Sequence, residues 1–368
     1  MKLLLVEPSY PIPAKSRNHA HFLPIGLLKI ASYHKQLGDT VQLLRGPAPA
    51  RFRPDRVLIT SLFTYWSEQV HSAASYYHSL YKNSRIVIGG IYASLLPEDC
   101  KRRSPFACVS TGLYANGAAE AARVDFGLLP EPIDYQILHA TRGCTRKCPF
   151  CGTWRIEPSF TWKSSISHEI QKRKLVFYDN NFLAHPTIDD LLLELSQFRL
   201  PGGQRLRCEC QSGFDLNLLT LDRARLLKLA GFHSMRIAWD GEYKDWPRVK
   251  NAILTLRCAG FRNDDIFVFM IFNYKQSYEE MRLKLDSCRR WGIRVIDCRY
   301  RPLSLTKDGY VPGPKRQGEG AYYVHAGWTD MQVRRFRRAV RRQNIAILLD
   351  LPNGRYIPGC EKRFIAQQ

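Results

Sequence analysis

With 368 residues the chain is long enough for two domains, or for one large α/β domain with an extension, and its 45% apolar content supplies a sizeable core. Its net charge of +22, from 55 Lys and Arg against 33 Asp and Glu, points to an anionic partner, nucleic acid first and a phosphorylated substrate second; the bland alternative is a basic but inert surface. Eleven scattered cysteines argue against a secreted disulfide framework, no window approaches the ~18 apolar residues that span a bilayer, and the apolar run at residues 1–7 is too short for a signal peptide, so a cytoplasmic protein with no membrane partner is expected.

Taken in chain order, residues 2–6 read as an apolar strand, followed by a polar, Pro-rich loop to Pro24. Leu27, Ile30, Ala31 and Leu37 then fall at helical spacing, with Gly38 as the stop. Residues 41–44 and 57–60 are the next strands. Ser67 opens a helix whose apolar stripe is Val70, Ala73, Ala74, Tyr77, Leu80 and Tyr81. Residues 86–90 make a fourth strand and 108–110 a fifth. Strands alternating with helices predict a parallel sheet covered on both faces, whose ligands bind at the carboxyl ends of the strands. Only about a dozen residues separate the second and third strands, too few for a full crossover helix.

Residues 114–134, rich in Ala, Gly and Pro, read as a linker. Beyond them the strand-then-helix pattern repeats six times, with strands at 136–140, 174–178, 206–210, 235–239, 266–271 and 295–299, and helices at 165–173, 186–198, 221–230, 246–259 and 278–291. Six such units make three quarters of a TIM-type barrel, in which reactive residues gather at the carboxyl ends of the strands. At the end of the first of these strands stands Thr-Arg-Gly-Cys-Thr-Arg-Lys-Cys-Pro-Phe-Cys-Gly, residues 141–152, with Cys144, Cys148 and Cys151 at spacings of four and three. Thiolates select zinc, copper(I) or iron–sulfur clusters, and a structural zinc site normally closes with a fourth ligand that is lacking nearby. The bland reading is a chance cluster or an incomplete zinc knuckle. The expected class is therefore α/β: an N-terminal doubly wound Rossmann-like domain over 1–113, a linker over 114–134, a partial (β/α)6 barrel over 135–303 and a small basic C-terminal extension over 304–368.

The CxxxCxxC loop with an aromatic before its third cysteine, set after the first barrel strand, resembles the radical S-adenosylmethionine (SAM) superfamily. The resemblance implies that Cys144, Cys148 and Cys151 ligate a four-iron, four-sulfur (4Fe–4S) cluster whose open iron binds SAM. Reductive cleavage then yields methionine and a 5′-deoxyadenosyl radical for modification of a substrate, with a flavodoxin or ferredoxin as electron donor. It places Phe150 beside the adenine. Asp179-Asn180-Asn181 stands where the superfamily's Gly-Gly-Glu would hold the SAM amino group, so Asp179 or Asn180 is assigned that role; a strand-end turn is the plain alternative. Gln211 and Asp240 are candidates for the ribose hydroxyls and Arg236 for the SAM carboxylate, provided that Arg236, Ala238 and Asp240 face inward and Met235, Ile237 and Trp239 outward. Cys208, Cys210 and Cys298 are expected as buried small hydrophobes; that one of them faces the cavity as a hydrogen donor or sulfur source is the alternative.

The N-terminal half resembles the cobalamin-binding-type domain found ahead of many such barrels, through Pro24-Ile25-Gly26-Leu27-Leu28 and Gly89-Gly90-Ile91-Tyr92-Ala93-Ser94, but it lacks the Asp-x-His-x-x-Gly motif. Cobalamin is thus a further cofactor that the resemblance allows, and a structural remnant the alternative. After the last strand, a helix around residues 333–342 sets Val333, Phe336, Ala339 and Val340 in an apolar stripe among six arginines, with Thr329 as its cap. It could track phosphates while Tyr322, Tyr323 and Trp328 stack bases, or simply close the barrel's open side. The leading expectation is a radical SAM enzyme acting on a substrate that includes nucleic acid among its candidates. A cobalamin-dependent radical SAM methyltransferase for a small molecule or peptide, and a non-catalytic iron–sulfur protein that binds nucleic acid, are the alternatives.

Overall fold

The computed structural model describes residues 1–12, 23–313 and 315–350. Residues 13–22 of the expected Pro-rich loop and 351–368 of the expected extension lie outside the described residues. The chain divides into two compact units. One comprises Met1–Ile133, Arg146–Phe160 and Pro302–Gly309; the other comprises Asp134–Thr145, Thr161–Arg301 and the described chain from Tyr310 on.

The N-terminal unit is a five-stranded, wholly parallel sheet. Its strands are β1 (Lys2–Glu7), β2 (Thr40–Arg45), β3 (Arg56–Ser61), β4 (Arg85–Gly90) and β5 (Cys108–Val109), in the order β2-β1-β3-β4-β5. The continuous apolar run of β1 is the signature of a strand covered on both faces. Leu3 and Leu5 pack with Leu27 and Ala31 of α1 (Ile25–Gln36) on one side. Leu4 and Val6 pack with Val70, Ala73 and Tyr77 of α2 (Ser67–Leu80) on the other. Each of these leucine and valine side chains, fully buried, contributes roughly 1.5–3 kcal/mol. Two short helices, α3 (Ile91–Leu95) and α4 (Pro97–Arg103), join β4 to β5. The β2–β3 connection crosses without a helix, as its length required. Two tyrosines hold it, one in α2 and one just past its end: Tyr77 Oη meets both the Ala48 carbonyl (3.0 Å) and amide (3.1 Å), and Tyr81 Oη accepts from the Ala50 amide (2.7 Å). The expected linker is tied to α1, where Lys35 pairs with Asp125 (2.6 Å), and Tyr114 Oη meets His34 Nε2 (2.8 Å).

In the C-terminal unit, β6 (Tyr135–Leu138) is followed by two short antiparallel partners, β7 (Thr141–Arg142) and β8 (Thr161–Trp162). Between them, in the segment assigned to the N-terminal unit, lies the one-turn helix α5 (Thr153–Ile156). The remaining strands are β9 (Lys174–Phe177), β10 (Arg207–Cys210), β11 (Met235–Ala238), β12 (Ile266–Phe272) and β13 (Arg294–Arg299). They alternate with α6 (Ile188–Gln197), α7 (Leu221–Leu229), α8 (Trp246–Cys258) and α9 (Tyr278–Arg290), and α10 (Asp330–Asp350) follows. The strands form two parallel sheets, β10-β9-β6 and β11-β12-β13. The burial of β12 alternates strictly, with Ile266, Val268, Met270 and Phe272 under the helices. Ser277 and Thr220 cap α9 and α7 through side-chain oxygens that accept from Glu280 N and Arg223 N. At Gly231, which ends the turn after α7 at φ +82°, a Cβ would stand 2.4 Å from the Leu206 carbonyl oxygen, so only glycine fits.

The helix expected over 165–173 is instead a single turn, Ser167–Glu169. Its backbone donors are claimed elsewhere. Glu194 Oε1 of α6 accepts from the amides of Ile166 (3.2 Å) and Ser167 (2.9 Å), and Gln136 Oε1 of β6 accepts from Gln171 (2.6 Å) and Lys172 (2.9 Å). The C-terminal helix is longer than its apolar stripe suggested. It opens with a reciprocal capping box in which Thr329 Oγ1 accepts from Gln332 N (3.2 Å) and Gln332 Oε1 from Thr329 N (2.9 Å). Val333, Phe336 and Val340 enter the core beside Phe272. Tyr322 and Trp328, which one of the two readings of this segment offered as base-stacking platforms, belong to the same core: Trp328 donates to the Tyr274 and Gln276 carbonyls, and Tyr322 to Asp330. Among the described residues, no helix is long and apolar enough to cross a membrane.

Candidate functional site

The site is best built from the exit of β6, where the cysteine loop begins. Asp179, at the end of β9, is fully buried and turns its carboxylate toward the neighbouring strand rather than outward. Oδ1 accepts from Thr141 N (2.5 Å) and Thr141 Oγ1 (2.7 Å), and Oδ2 accepts from Ala140 N (3.2 Å). Its carbonyl oxygen accepts from Ser212 Oγ, which follows β10. Burial pushes the Asp179 carboxyl up to about 6, against the downward pull of those hydrogen bonds. Asp179 therefore fixes the root of the loop, and the amide-rich turn beside it divides in two: Asn180 is exposed and Asn181 buried.

From this root, β7 pairs with β8, and Gly143 turns the chain at φ +76°, a conformation that glycine adopts without strain, immediately before Cys144. Cys144 is half-buried and belongs with the C-terminal unit. Cys148 and Cys151 belong with the N-terminal unit, where they close a turn through Cys151 N and the Cys148 carbonyl (3.0 Å). Trp154 Nε1 donates to the same carbonyl (3.2 Å), and the Cys151 thiol meets Thr153 Oγ1 at 3.2 Å. Phe150, between them, is half-buried. None of the three cysteines is in a disulfide. Three half-buried thiols on a short polar loop are a donor set that suits a soft metal or an iron–sulfur cluster. Among the described residues, no three His, Cys, Asp or Glu side chains already converge as a metal-holding group.

The remaining candidates lie on the strands of the C-terminal unit. Met235, Ile237 and Trp239 join the helix-covered core, so Arg236, Ala238 and Asp240 take the opposite face. On that face Arg236 is buried and engaged within the protein. Nη1 donates to the Cys210 carbonyl (2.6 Å), and Nη2 pairs with Glu209, whose Oε1 also accepts from Gln211 Nε2 (2.8 Å). Arg236 thus joins β11 to β10 and links Gln211 to the same carboxylate. Glu209 was not singled out from the sequence; its signal was the alternation of charge with cysteine in Arg207-Cys208-Glu209-Cys210. Asp240 is half-buried, its carbonyl accepting from Gln276 Nε2 (3.2 Å). The next residue, Gly241, is held by the buried Lys284, whose ammonium burial drives downward in pKa. Cys208 and Cys210 are buried as expected, and burial pushes the Cys210 thiol up to about 12. Cys298 departs from that expectation: it is exposed on β13.

The structure thus assembles one linked group at the strand ends, Thr141, Asp179 and Ser212, and a second, Glu209, Gln211 and Arg236, beside it on β10 and β11. No protein-family model matches this chain, and no curated protein matches it.

Proposed function

We propose that the protein is a radical SAM enzyme, with its two parallel three-stranded sheets as the halves of a partial (β/α)6 barrel and its N-terminal unit as a Rossmann-like domain. The observation that carries the reading is the placement of a three-thiol loop directly after the first strand of a parallel series, its root pinned by a buried carboxylate from the second strand. The sheet orders support it, since β6, β9, β10 and then β11, β12, β13 neighbour one another in chain sequence, and backbone bonds tie β10 to the segment before β11 (Cys208 N to the Gly231 carbonyl) and the segment after β10 to β11 (Phe214 N to the Arg236 carbonyl). The order β2-β1-β3-β4-β5 supports the Rossmann-like reading in the same way.

In this reading Cys144, Cys148 and Cys151 hold a 4Fe–4S cluster. Such a cluster, when bound, supplies an electron to SAM and so a 5′-deoxyadenosyl radical that takes hydrogen from a substrate. Asp179 sets the direction in which the loop leaves the sheet. Asn180, exposed at the end of β9, is the candidate we assign to accept from the SAM ammonium, while the Asp179 oxygens accept from Ala140 and Thr141. Glu209 and Arg236 orient Gln211. A flavodoxin- or ferredoxin-type donor would supply the electron.

Anaerobic reconstitution with iron and sulfide, followed by SAM and dithionite, tests this. The expected outcome is a 4Fe–4S absorption band and formation of 5′-deoxyadenosine, both lost when Cys144, Cys148 and Cys151 are changed to Ala. A cluster that forms and never cleaves SAM would instead favour a non-catalytic iron–sulfur protein.

A further inference from the structure

The six arginines of α10 are not equivalent. Arg334 is buried, pairing with Asp330 (2.8 Å) and donating to the carbonyls of Val311 (3.2 Å) and Gly313 (3.0 Å), so it holds the preceding loop. Arg337 pairs with Asp297 of β13 (3.2 Å). Arg335, Arg338, Arg341 and Arg342 are exposed and make no ion pair among the described residues. At about 100° per residue these four occupy an arc of roughly 120°, opposite the Val333, Phe336 and Val340 stripe, and extend along roughly 10 Å of helix axis. The core contacts of that stripe, the capping box at Thr329 and the Asn344 bonds to β13 hold the helix, so the four guanidinium groups are carried on a rigid element. No acidic residue lies between Asp330 and Asp350.

We infer that this face is a docking surface for the phosphodiester backbone of a nucleic acid. Guanidinium forks bind phosphate oxygens in a bidentate manner, and a run of four without counter-charges in a chain of net charge +22 matches a polyanion of regular spacing. An anionic membrane is the lesser fit. An interfacial helix inserts an apolar stripe along its length, whereas the stripe of α10 is buried in the core, and its exposed large apolar residues stand at its two ends, Met331 in the first turn and Ile345, Leu348 and Leu349 in the last turns, with the four arginines between them. The inference is independent of the redox reading, because it concerns binding alone.

The test is fluorescence anisotropy of the full chain with a labelled single-stranded RNA of about twenty nucleotides, titrated across salt concentrations. Each phosphate contact on a single strand contributes about 0.7 to the slope of log K against log salt, so R335A/R338A/R341A/R342A should lower that slope by up to about 3. Alanine favours helix at every one of these positions, and an unchanged thermal melt of the variant checks its fold. The charge-conserving lysine variant should keep most of the slope, and a control set on the N-terminal unit, R51A/R53A/K82A/R85A, should leave it nearly unaltered. The inference is overturned if the intact protein does not retain RNA at low salt, or if the control set lowers the slope as much. It is equally overturned if the α10 variant loses binding to phosphatidylserine vesicles while its RNA binding stays intact.

Discussion

Asp179 shows how a residue of apparent ligand type can be spent on the scaffold. The sequence marks it as a polar strand end, and that much is legible; the direction in which its carboxylate points is not, because that depends on a neighbouring strand 38 positions away at Thr141. Its ionisation gives a testable consequence. The folded-state pKa, about 6, lies above the roughly 3.9 of an unfolded Asp, so the folded protein holds the proton more tightly. The stabilisation from this group is therefore fully present below about pH 4 and lost as pH rises through 6, a change on the order of 3 kcal/mol. Asp179→Asn removes the titration. In urea melts, the stability advantage of the native protein over this variant should shrink as pH is raised from 4 to 6; a constant difference across that window would show that Asp179 does not titrate there.

At the scale of elements, the strands and most helices were legible because their apolar residues repeat at two or at 3.6. The segment 165–173 was not, since its backbone donors are taken by Glu194 and Gln136, side chains from other elements that no local pattern reveals. The same kind of long-range side-chain contact protects the edge of β13. Asn344 Oδ1 accepts from Val295 N (2.9 Å) and Asn344 Nδ2 donates to the Val295 carbonyl (2.7 Å), standing in for a neighbouring strand. Asn344→Ala should cost about 1–2 kcal/mol for the two lost bonds. It should also make the protein more prone to self-association, as an uncovered edge invites pairing. Chemical denaturation and light scattering measure the two effects, and an unaltered denaturation midpoint would refute the edge-covering role.

At the scale of the molecule, the units are assembled from separated stretches of chain. The N-terminal unit includes Arg146–Phe160 and Pro302–Gly309. Within it, Leu95 lies against Gly152, where a Cβ would stand 3.2 Å from Leu95 Cδ2, and Ser67 Oγ donates to the Thr306 carbonyl (3.0 Å). A fragment of residues 1–133 should therefore fold with a lower melting temperature than the same unit in the whole chain, and a melt equal to that of the whole chain would show that the two added stretches contribute nothing. The sequence by itself determined the alternating α/β pattern, the position of the three-thiol loop after a strand, and the apolar stripe of the last helix, because each is written in spacing along the chain. Only the tertiary structure decided that Asp179 and Arg236 turn inward, that Tyr322 and Trp328 are core, and that four of the six α10 arginines are exposed without an ion pair among the described residues. Those outcomes depend on which distant side chain reaches a donor or acceptor first, and spacing carries no record of that.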